Sequence, residues 1–330
     1  MNKTVLILGA KGRLGVAAAQ AFAAAGWRVL GQVRPGAAQP ALHGVEWLAT
    51  SLDDTQTLTR QAQGASVVLH ALSPAYTNAA WTAQVLPMTK AALTIAADLE
   101  ATIMVPGNVY NFGADAPTVL RPDTPQQAHT VKGCVRMAME QALAQSDVQT
   151  IVLRAGDFFG QGTGSWFDTV VAKELPKGVL RYPAPSGVRT PWAYLPDLAQ
   201  AFVRVAEKRE QLGRHTVLHF AGHNLSATDW ADALTQEVAS RGWVTRGQAV
   251  RVKALPWGVL RVGGWFNPVF AALYEMRYLW QRPYELDNAT LVQLIGDEPR
   301  TPFPRAAVAA VNGLFPWPSG QARHAAAVLR

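Results

Sequence analysis

Cysteine is almost missing from this chain: Cys134 is the single one among 330 residues, so neither an internal disulfide nor a cysteine-rich metal site can form. A reducing compartment suits such a chain, and we expect a cytoplasmic protein without a signal peptide. Charged residues are also scarce, at 16% against 49% hydrophobic residues, which excludes a disordered chain and provides a large core.

Long uninterrupted hydrophobic runs are missing as well. The longest apolar stretch, residues 254–274, contains Pro256, Arg261, Pro268 and several glycines. We interpret it as core and loop rather than as a membrane span, and we expect no membrane partner.

The formal net charge is +7, and acidic residues are scarce in the stretch 241–282. Between Arg241 and Arg282, seven basic residues are opposed only by Glu275. These cations are scattered among tryptophan, leucine and valine, and no nucleic-acid-binding motif accompanies them. We therefore interpret them as a solvated face or the rim of an anionic-substrate site, and expect no nucleic acid partner.

What the sequence does contain is a regular alternation of apolar runs and helical segments. The run Thr4–Leu8 is continuously apolar and ends in glycine, which is typical of a strand buried on both faces. Strands alternating with helices predict an α/β Rossmann fold, with a doubly wound parallel sheet. Strands are predicted at 4–8, 27–33, 45–49, 66–71, 101–105, 148–154 and 215–221, and helices at 14–25, 53–63, 83–99, 128–145 and 197–208.

The alternation loosens after Arg154, where glycine, proline and aromatic residues become frequent. We predict that residues 1–155 and about 190–222 form the dinucleotide-binding domain. Residues of about 156–189 and 223–330 would form a smaller substrate domain over the carboxyl ends of the strands, where ligands bind in such sheets. The last residues, Ser319–Arg330, are expected to fray.

A glycine-rich turn follows the first predicted strand and opens the first helix. The first glycine permits a tight turn, the second lets phosphate approach the backbone, and the third lets the helix pack on the strand. Free N–H groups at the helix start can then hold a pyrophosphate. A packing turn without ligand is the alternative. The predicted cofactor-binding residues of this turn are Gly9, Ala10, Lys11, Gly12, Arg13, Leu14 and Gly15.

The second predicted strand indicates which dinucleotide is bound. NAD-specific sites usually place an acid near the end of this strand, but residues 30–34 read Leu-Gly-Gln-Val-Arg. The planar guanidinium of Arg34 suits a 2′-phosphate, and Lys11 or Arg13 can add charge nearby. The sequence therefore predicts NADP(H), with NAD less favoured; the alternative is that Arg34 is simply a solvated strand end.

With these motifs, the chain resembles the extended and atypical short-chain dehydrogenase/reductases, which include the NAD-dependent epimerase/dehydratase-like and NmrA-like proteins. The resemblance rests on the GxxGxxG spacing and on weaker matches along the chain. It implies that His70, Ala71 and Leu72 line the cofactor. The weaker matches are His70-Ala71-Leu72, Val109-Tyr110 with Gly113, Arg154–Asp157 with Gly160, and Trp192–Asp197.

The chain departs from this family at its catalytic residues. The family has serine or threonine after the fifth strand, where this chain reads Pro106-Gly-Asn108. It also has a Tyr-x-x-x-Lys pair on the next helix, and counting back from Glu140 places that pair on Lys132 and Arg136. The usual tyrosine-based proton transfer therefore cannot be assumed.

Lys132 is the leading catalytic candidate. Lys132, Arg136 and Glu140 share one helical face, and the pattern resembles the isoflavone-reductase-like branch, in which a lysine is the catalytic acid or base. Lys132 would contact the cofactor and need a lowered pKa, from burial or from Arg136, which is itself a catalytic candidate. The alternative is an ordinary charged face with an Arg136–Glu140 ion pair.

Tyr110 is the second candidate proton donor; the alternative is an aromatic lid over the site. Asn108, Tyr110 and Asp157 are predicted to face the substrate, with a turn cap as the alternative for Asp157. We expect a pocket beside the nicotinamide that is open to solvent and holds Tyr110 and Lys132. No metal-ligand spacing is present.

The sequence thus predicts an NADP(H)-binding oxidoreductase or epimerase-like enzyme acting on a small carbonyl or sugar-nucleotide-like substrate. A non-catalytic NADP sensor is the alternative. A small-molecule substrate is the expected partner, and a homodimer is the assembly we would expect if one forms.

Overall fold

The computed structural model describes residues 3–317. The segment Ser319–Arg330, expected to fray, lies outside these residues. The strands are β1 (Thr4–Leu8), β2 (Arg28–Val33), β3 (Val45–Ala49), β4 (Val67–His70), β5 (Thr102–Gly107), β6 (Val119–Leu120), β7 (Thr150–Arg154), β8 (Asp157–Phe159), β9 (Val179–Tyr182), β10 (Thr190–Tyr194), β11 (His215–His219), β12 (His223–Leu225), β13 (Arg251–Ala254) and β14 (Glu285–Leu286). The α-helices are α1 (Arg13–Ala24), α2 (Thr55–Gln61), α3 (Asn78–Asp98), α4 (Val131–Ala144), α5 (Leu195–Lys208), α6 (Ala227–Ser240), α7 (Trp257–Gly263), α8 (Pro268–Glu275), α9 (Ala289–Ile295) and α10 (Phe303–Leu314).

Seven of these strands form the central sheet, in the order β11-β7-β5-β4-β1-β2-β3, and all six pairings are parallel. All five residues of β1 are buried because helices cover both faces of the sheet. The strand order reverses between β1 and β4, so a crevice opens beyond their carboxyl ends. The predicted Rossmann fold class is confirmed.

Two apolar clusters cover the two faces of the sheet. One joins α1 and α5, with Phe22 and Phe202 fully buried, and the other joins α2, α3 and α4. A third, aromatic cluster lies outside the sheet, around Phe159, Trp192 and Trp230. Helix α9 belongs to the sheet side, because its Leu291 packs in the same cluster as Phe202. The domain division stays a prediction.

Helix α3 begins at Asn78, five residues before the predicted start at Ala83. Thr77 caps it, since its side-chain oxygen accepts a hydrogen bond from the N–H of Ala80. The earlier start matters for function because it places Asn78 beside the candidate catalytic lysine.

The apolar stretch 254–274 contributes a few side chains to the core, but most of its residues are exposed, so its interpretation as core and loop is confirmed only in part. It contains α7 and α8, from which few side chains are buried, among them Leu260, Ala272 and Leu273. In the described part of the chain, no helix is long and apolar enough to cross a membrane.

Candidate functional site

The glycine turn, Gly9–Gly15, has the geometry that its sequence predicts. Gly9 has a φ of +78°, and a Cβ there would lie 3.0 Å from Cδ2 of Leu72. A Cβ on Gly15 would overlap the carbonyl oxygen of Gly9. These two positions therefore exclude larger residues, for reasons of backbone conformation and of helix–strand packing respectively.

The start of α1 is left available for an anion. Its N-cap residue is Gly12, which provides no capping side chain, and the first turn contains no acidic residue. The turn itself is closed by a hydrogen bond from the N–H of Gly12 to the carbonyl oxygen of Gly9, at 2.9 Å. Such an uncapped start suits a pyrophosphate, held through backbone N–H groups of Arg13, Leu14 and Gly15.

Gln32 fixes this turn from the neighbouring strand, and sequence reasoning missed it. Its Oε1 accepts a hydrogen bond from the N–H of Gly9 at 3.1 Å, and its Nε2 donates to the carbonyl oxygen of Thr50 at 2.8 Å. A buried amide inside an apolar strand is the signal that could have revealed it.

Two of the three predicted cations for a 2′-phosphate lie on the surface, and the third is engaged elsewhere. Arg34 and Lys11 are exposed, at the end of β2 and in the glycine turn. Arg13 donates from Nη2 to the carbonyl oxygen of Gly160 at 2.7 Å, and from Nε to that of Gln161 at 2.9 Å. Arg13 therefore ties the glycine turn to the loop after β8.

The predicted cofactor-lining residues 70–72 lie at the end of β4, next to the glycine turn. The N–H of Ala71 donates to the carbonyl oxygen of Leu8 at 3.0 Å, which places Leu72 against Gly9. His70 points into the protein: it is buried, and burial followed by the charge of Arg136 lowers its pKa to about 3. His70 is thus neutral at physiological pH.

Lys132 lies on α4 with no exposed surface. Its Nζ donates to Oδ1 of Asn78 at 2.6 Å and lies 4.4 Å from the ring centroid of Tyr76. Burial lowers the pKa of Lys132 to about 8, while the charge of Glu275 opposes this shift. Burial, and not Arg136, is therefore the cause of the lowered pKa. The expected open pocket is not present, because Tyr76, Asn78 and Trp81 surround the ammonium group.

A chain of hydrogen bonds links Lys132 to the C-terminal half of the protein. Asn78 donates from Nδ2 to Oε2 of Glu275 at 2.7 Å, and the other oxygen of Glu275 accepts from the N–H of Val131 at 2.8 Å. Glu275 therefore orients Asn78 and also binds the first N–H of α4, the helix that carries Lys132. Sequence reasoning missed both Asn78 and Glu275.

The alternative ion pair between Arg136 and Glu140 is not present. Glu140 instead pairs with Arg154, whose Nε and Nη2 lie 3.1 and 2.5 Å from the two carboxylate oxygens. Arg136 donates to the carbonyl oxygen of Pro106 at 3.4 Å, and its Nε is buried without a partner. Burial lowers the pKa of Arg136. Because its Nε has no partner, this side chain can donate one further hydrogen bond.

The remaining candidates lie in the same region in different roles. The hydroxyl of Tyr110 is 3.4 Å from that of Tyr76, and burial raises the pKa of Tyr110 to about 12. Asn108 accepts a hydrogen bond from the N–H of Tyr110 at 3.0 Å, so its side chain shapes the loop. Asp157 accepts from Nε1 of Trp280 at 2.7 Å, and burial raises its pKa to about 7.

The parallel sheet and the GxxGxxG turn agree with the resemblance to the extended short-chain dehydrogenase/reductases, and the matching family model confirms it. The chain belongs to the family described as the RmlD substrate binding domain, whose model matches residues 2–261. Among curated protein sequences, none matches significantly.

Solved structures of several enzymes share the fold. The Bordetella bronchiseptica enzyme WbmH, solved with NAD+, has 17% identity and a TM-score of 0.72, over 96% of this chain and 99% of WbmH. UDP-glucose 4-epimerase from Brucella ovis, in complex with NAD, has 15% identity and a TM-score of 0.71, over 94% and 98%. TunA, an NAD-dependent NDP-hexosamine 5,6-dehydratase, has 15% identity and a TM-score of 0.65, over 94% and 97%.

Proposed function

We propose that this protein is a nicotinamide-dinucleotide-dependent oxidoreductase or epimerase-like enzyme that acts on a small carbonyl or sugar-nucleotide-like substrate. The observation that carries the proposal is Lys132, a buried amine with a pKa of about 8 at the position where the family has its tyrosine. An amine with this pKa exchanges a proton near neutral pH, as a general acid or base must. The similar solved structures support the same reaction class, since two of them contain NAD and two are enzymes that act on nucleotide sugars.

The cofactor would lie across the crevice between β1 and β4. Its pyrophosphate would bind at the start of α1, and Ala71 and Leu72 would line its other side. When bound, the nicotinamide supplies hydride transfer. Lys132, which Asn78 holds in place, would give a proton to the substrate oxygen or take one from it. Because Tyr76, Asn78 and Trp81 cover Lys132, these side chains must move when substrate binds.

For the finer choice of cofactor we propose NADP(H), supported by the exposed Arg34 and by the absence of an acid at the end of β2. The two NAD-bound structures above point the other way, so the preference needs direct measurement. We expect NADPH to raise the melting temperature more than NADH, since preferential binding stabilises the folded state. In Arg34→Ala, we expect NADPH to bind about tenfold more weakly while NADH binding is unchanged, because only NADPH loses a charged hydrogen-bond partner.

Calorimetric titration of both cofactors into the wild type, Arg34→Ala and Arg60→Ala measures this preference. Arg60 is an exposed arginine on α2 and serves as the matched control. Equal affinity of the wild type for NADH and NADPH would contradict the NADP(H) proposal.

The hydrogen-bond chain to Glu275 allows a separate test of the role of Lys132. The negative charge of Glu275 stabilises the ammonium form of Lys132 and raises its pKa. Glu275→Gln retains one acceptor but removes this charge, so the pKa of Lys132 should fall. The pH profile of turnover should therefore move to lower pH, by up to about one unit. A profile that stays in place, in a variant with unchanged melting temperature, would show that the titrating group is not Lys132.

A non-catalytic NADP sensor is the second candidate. It is favoured by the complete burial of Lys132 and by the missing tyrosine. A sensor would bind NADPH with a large melting-temperature shift and oxidise it with none of a panel of carbonyl compounds. Turnover with any compound of the panel would favour the enzyme.

A further inference from the structure

Two short helices and the turn between them, residues 257–275, form what we call the aromatic hairpin. Six of the eleven exposed large apolar side chains in the described part of the protein lie on it. At its turn, Trp265 is 81% and Phe266 87% exposed, which means that both rings project almost freely into solvent. The six residues are Val259, Val262, Trp265, Phe266, Val269 and Phe270.

Glycines let the two helices of the hairpin approach closely. A Cβ on Gly263 would lie 2.9 Å from Cδ2 of Phe270, and one on Gly264 would lie 3.1 Å from Cα of Ala271. The ring of Phe270 thus packs partly against Gly263, while Trp265 and Phe266 at the turn stay almost fully exposed.

Along the sequence, the charges within and before the hairpin have one sign, and from another segment the acid Glu174 lies beside Lys253. Arg246, Arg251, Lys253 and Arg261 are exposed, and no acidic residue occurs between Glu237 and Glu275. Every residue of β13, the strand before the hairpin, is exposed, and Val252 there extends the apolar surface. Of the two acids that bound this segment, Glu237 pairs with Arg241, and Glu275 binds Asn78 and Val131.

We propose that the aromatic hairpin docks this protein on the surface of an anionic lipid bilayer. Trp265 and Phe266 would enter the boundary between headgroups and acyl chains, where exposed aromatic and aliphatic side chains gain apolar contact. Arg251, Lys253 and Arg261 would contact the lipid phosphates, as basic residues beside an inserted apolar surface do. This peripheral binding departs from the expectation of no membrane partner, which was argued only against a span, and no helix of the described chain is long and apolar enough to cross the bilayer.

Two other occupants fit this surface less well. In a symmetric dimer through the hairpin, each copy would bring its own Arg261 to a surface that already carries Arg261, so like charges would face each other. An acidic protein would neutralise the charges, but it would need a matching apolar pocket of its own to cover two rings that are 81% and 87% exposed. A bilayer provides negative charge and a deformable apolar layer together.

The hairpin also ends at the candidate catalytic site, because Glu275, the last residue of α8, accepts hydrogen bonds from Asn78 and Val131. Docking would therefore place that site near the lipid surface. The proposal does not depend on the proposed enzymatic function, since the hairpin is exposed whether or not Lys132 is catalytic.

Cosedimentation of the full chain with vesicles tests the proposal. We expect binding to vesicles of equal parts phosphatidylglycerol and phosphatidylcholine, and little binding to pure phosphatidylcholine. The double variant W265S/F266S should bind the anionic vesicles about tenfold more weakly, because it loses the inserted side chains. Each charge reversal among R251E, K253E and R261E should weaken binding at least about fivefold.

Leu86→Ser on α3 is the matched control, since Leu86 is an exposed apolar residue far from the hairpin in the sequence, and it should bind as the wild type does. All substituted side chains are exposed, so melting temperatures should stay unchanged and report that folding is intact. Three results would overturn the proposal: no binding of the wild type to anionic vesicles, full binding of W265S/F266S, or a concentration-dependent dimer that W265S/F266S abolishes.

Discussion

Lys132→Ala is expected to lower turnover by about 10²- to 10⁴-fold, the usual contribution of a positioned general acid or base. Binding of the dinucleotide should remain largely intact, because its predicted contacts are mainly backbone groups of the glycine turn. Alanine removes the amine that Asn78 holds at 2.6 Å and leaves Asp157, whose pKa burial raises to about 7, in place.

The pH dependence gives this prediction a second readout. If Lys132 is the proposed acid and base, its neutral amine takes the proton in alcohol oxidation, so that reaction should accelerate as the pH rises through the Lys132 pKa of about 8. Its ammonium form gives the proton in carbonyl reduction, so the reverse reaction should slow over the same range. Both dependences should disappear from the residual activity of Lys132→Ala.

Steady-state assays of NADPH oxidation, with thermal shifts for cofactor binding, measure these effects. Lys90→Ala, which replaces an exposed lysine on α3, is the control and should retain full activity. Full activity in Lys132→Ala would exclude Lys132 from the reaction. Asp157→Asn is informative in the same assay, because an equal loss there would move proton transfer to the carboxyl group.

Breaking the buried pair between Glu140 and Arg154 is expected to destabilise the fold by about 3–5 kcal/mol, because one charge would stay buried without its partner. Arg154 is 1% and Glu140 5% exposed. The double variant E140M/R154M should lose clearly less free energy of unfolding than the single variants E140M and R154M lose together. It should still be less stable than the wild type, since Gln126 and His219 also contact the pair.

Chemical denaturation of the single and double variants measures this coupling. The exposed pair Arg28–Glu46 is a suitable comparison, because its atoms lie 2.7 Å apart but both side chains are more than half exposed. Its coupling should stay below about 1 kcal/mol. Equal coupling energies for the two pairs would show that burial does not determine the strength of the Glu140–Arg154 pair.

The sequence was sufficient where the information is local. The apolar runs located all seven strands of the central sheet, and Gly9, Gly12 and Gly15 located the turn after β1. It also led to Lys132, through the count from Glu140. It described the apolar stretch 254–274 only in part, since hydrophobic composition alone does not tell which side chains are buried and which project from the surface.

The residues that surround Lys132 and Glu140 could be identified only from the tertiary structure. Asn78 is 54 residues from Lys132, and Glu275 is 144 residues from Val131, so no local pattern relates them. The sequence also does not predict the ion-pair partner of Glu140. The i, i+4 spacing favours Arg136, but β7 places Arg154 closer to the carboxylate.

The sequence by itself determined the parallel sheet, the glycine turn and the absence of the family tyrosine, because each depends on neighbouring residues and their periodicity. Only the tertiary structure decided that Lys132 is buried with a pKa near neutrality, that Glu140 pairs with Arg154, and that the aromatic hairpin is exposed. These properties arise from contacts between distant segments, whose burial and charge are set when the chain packs.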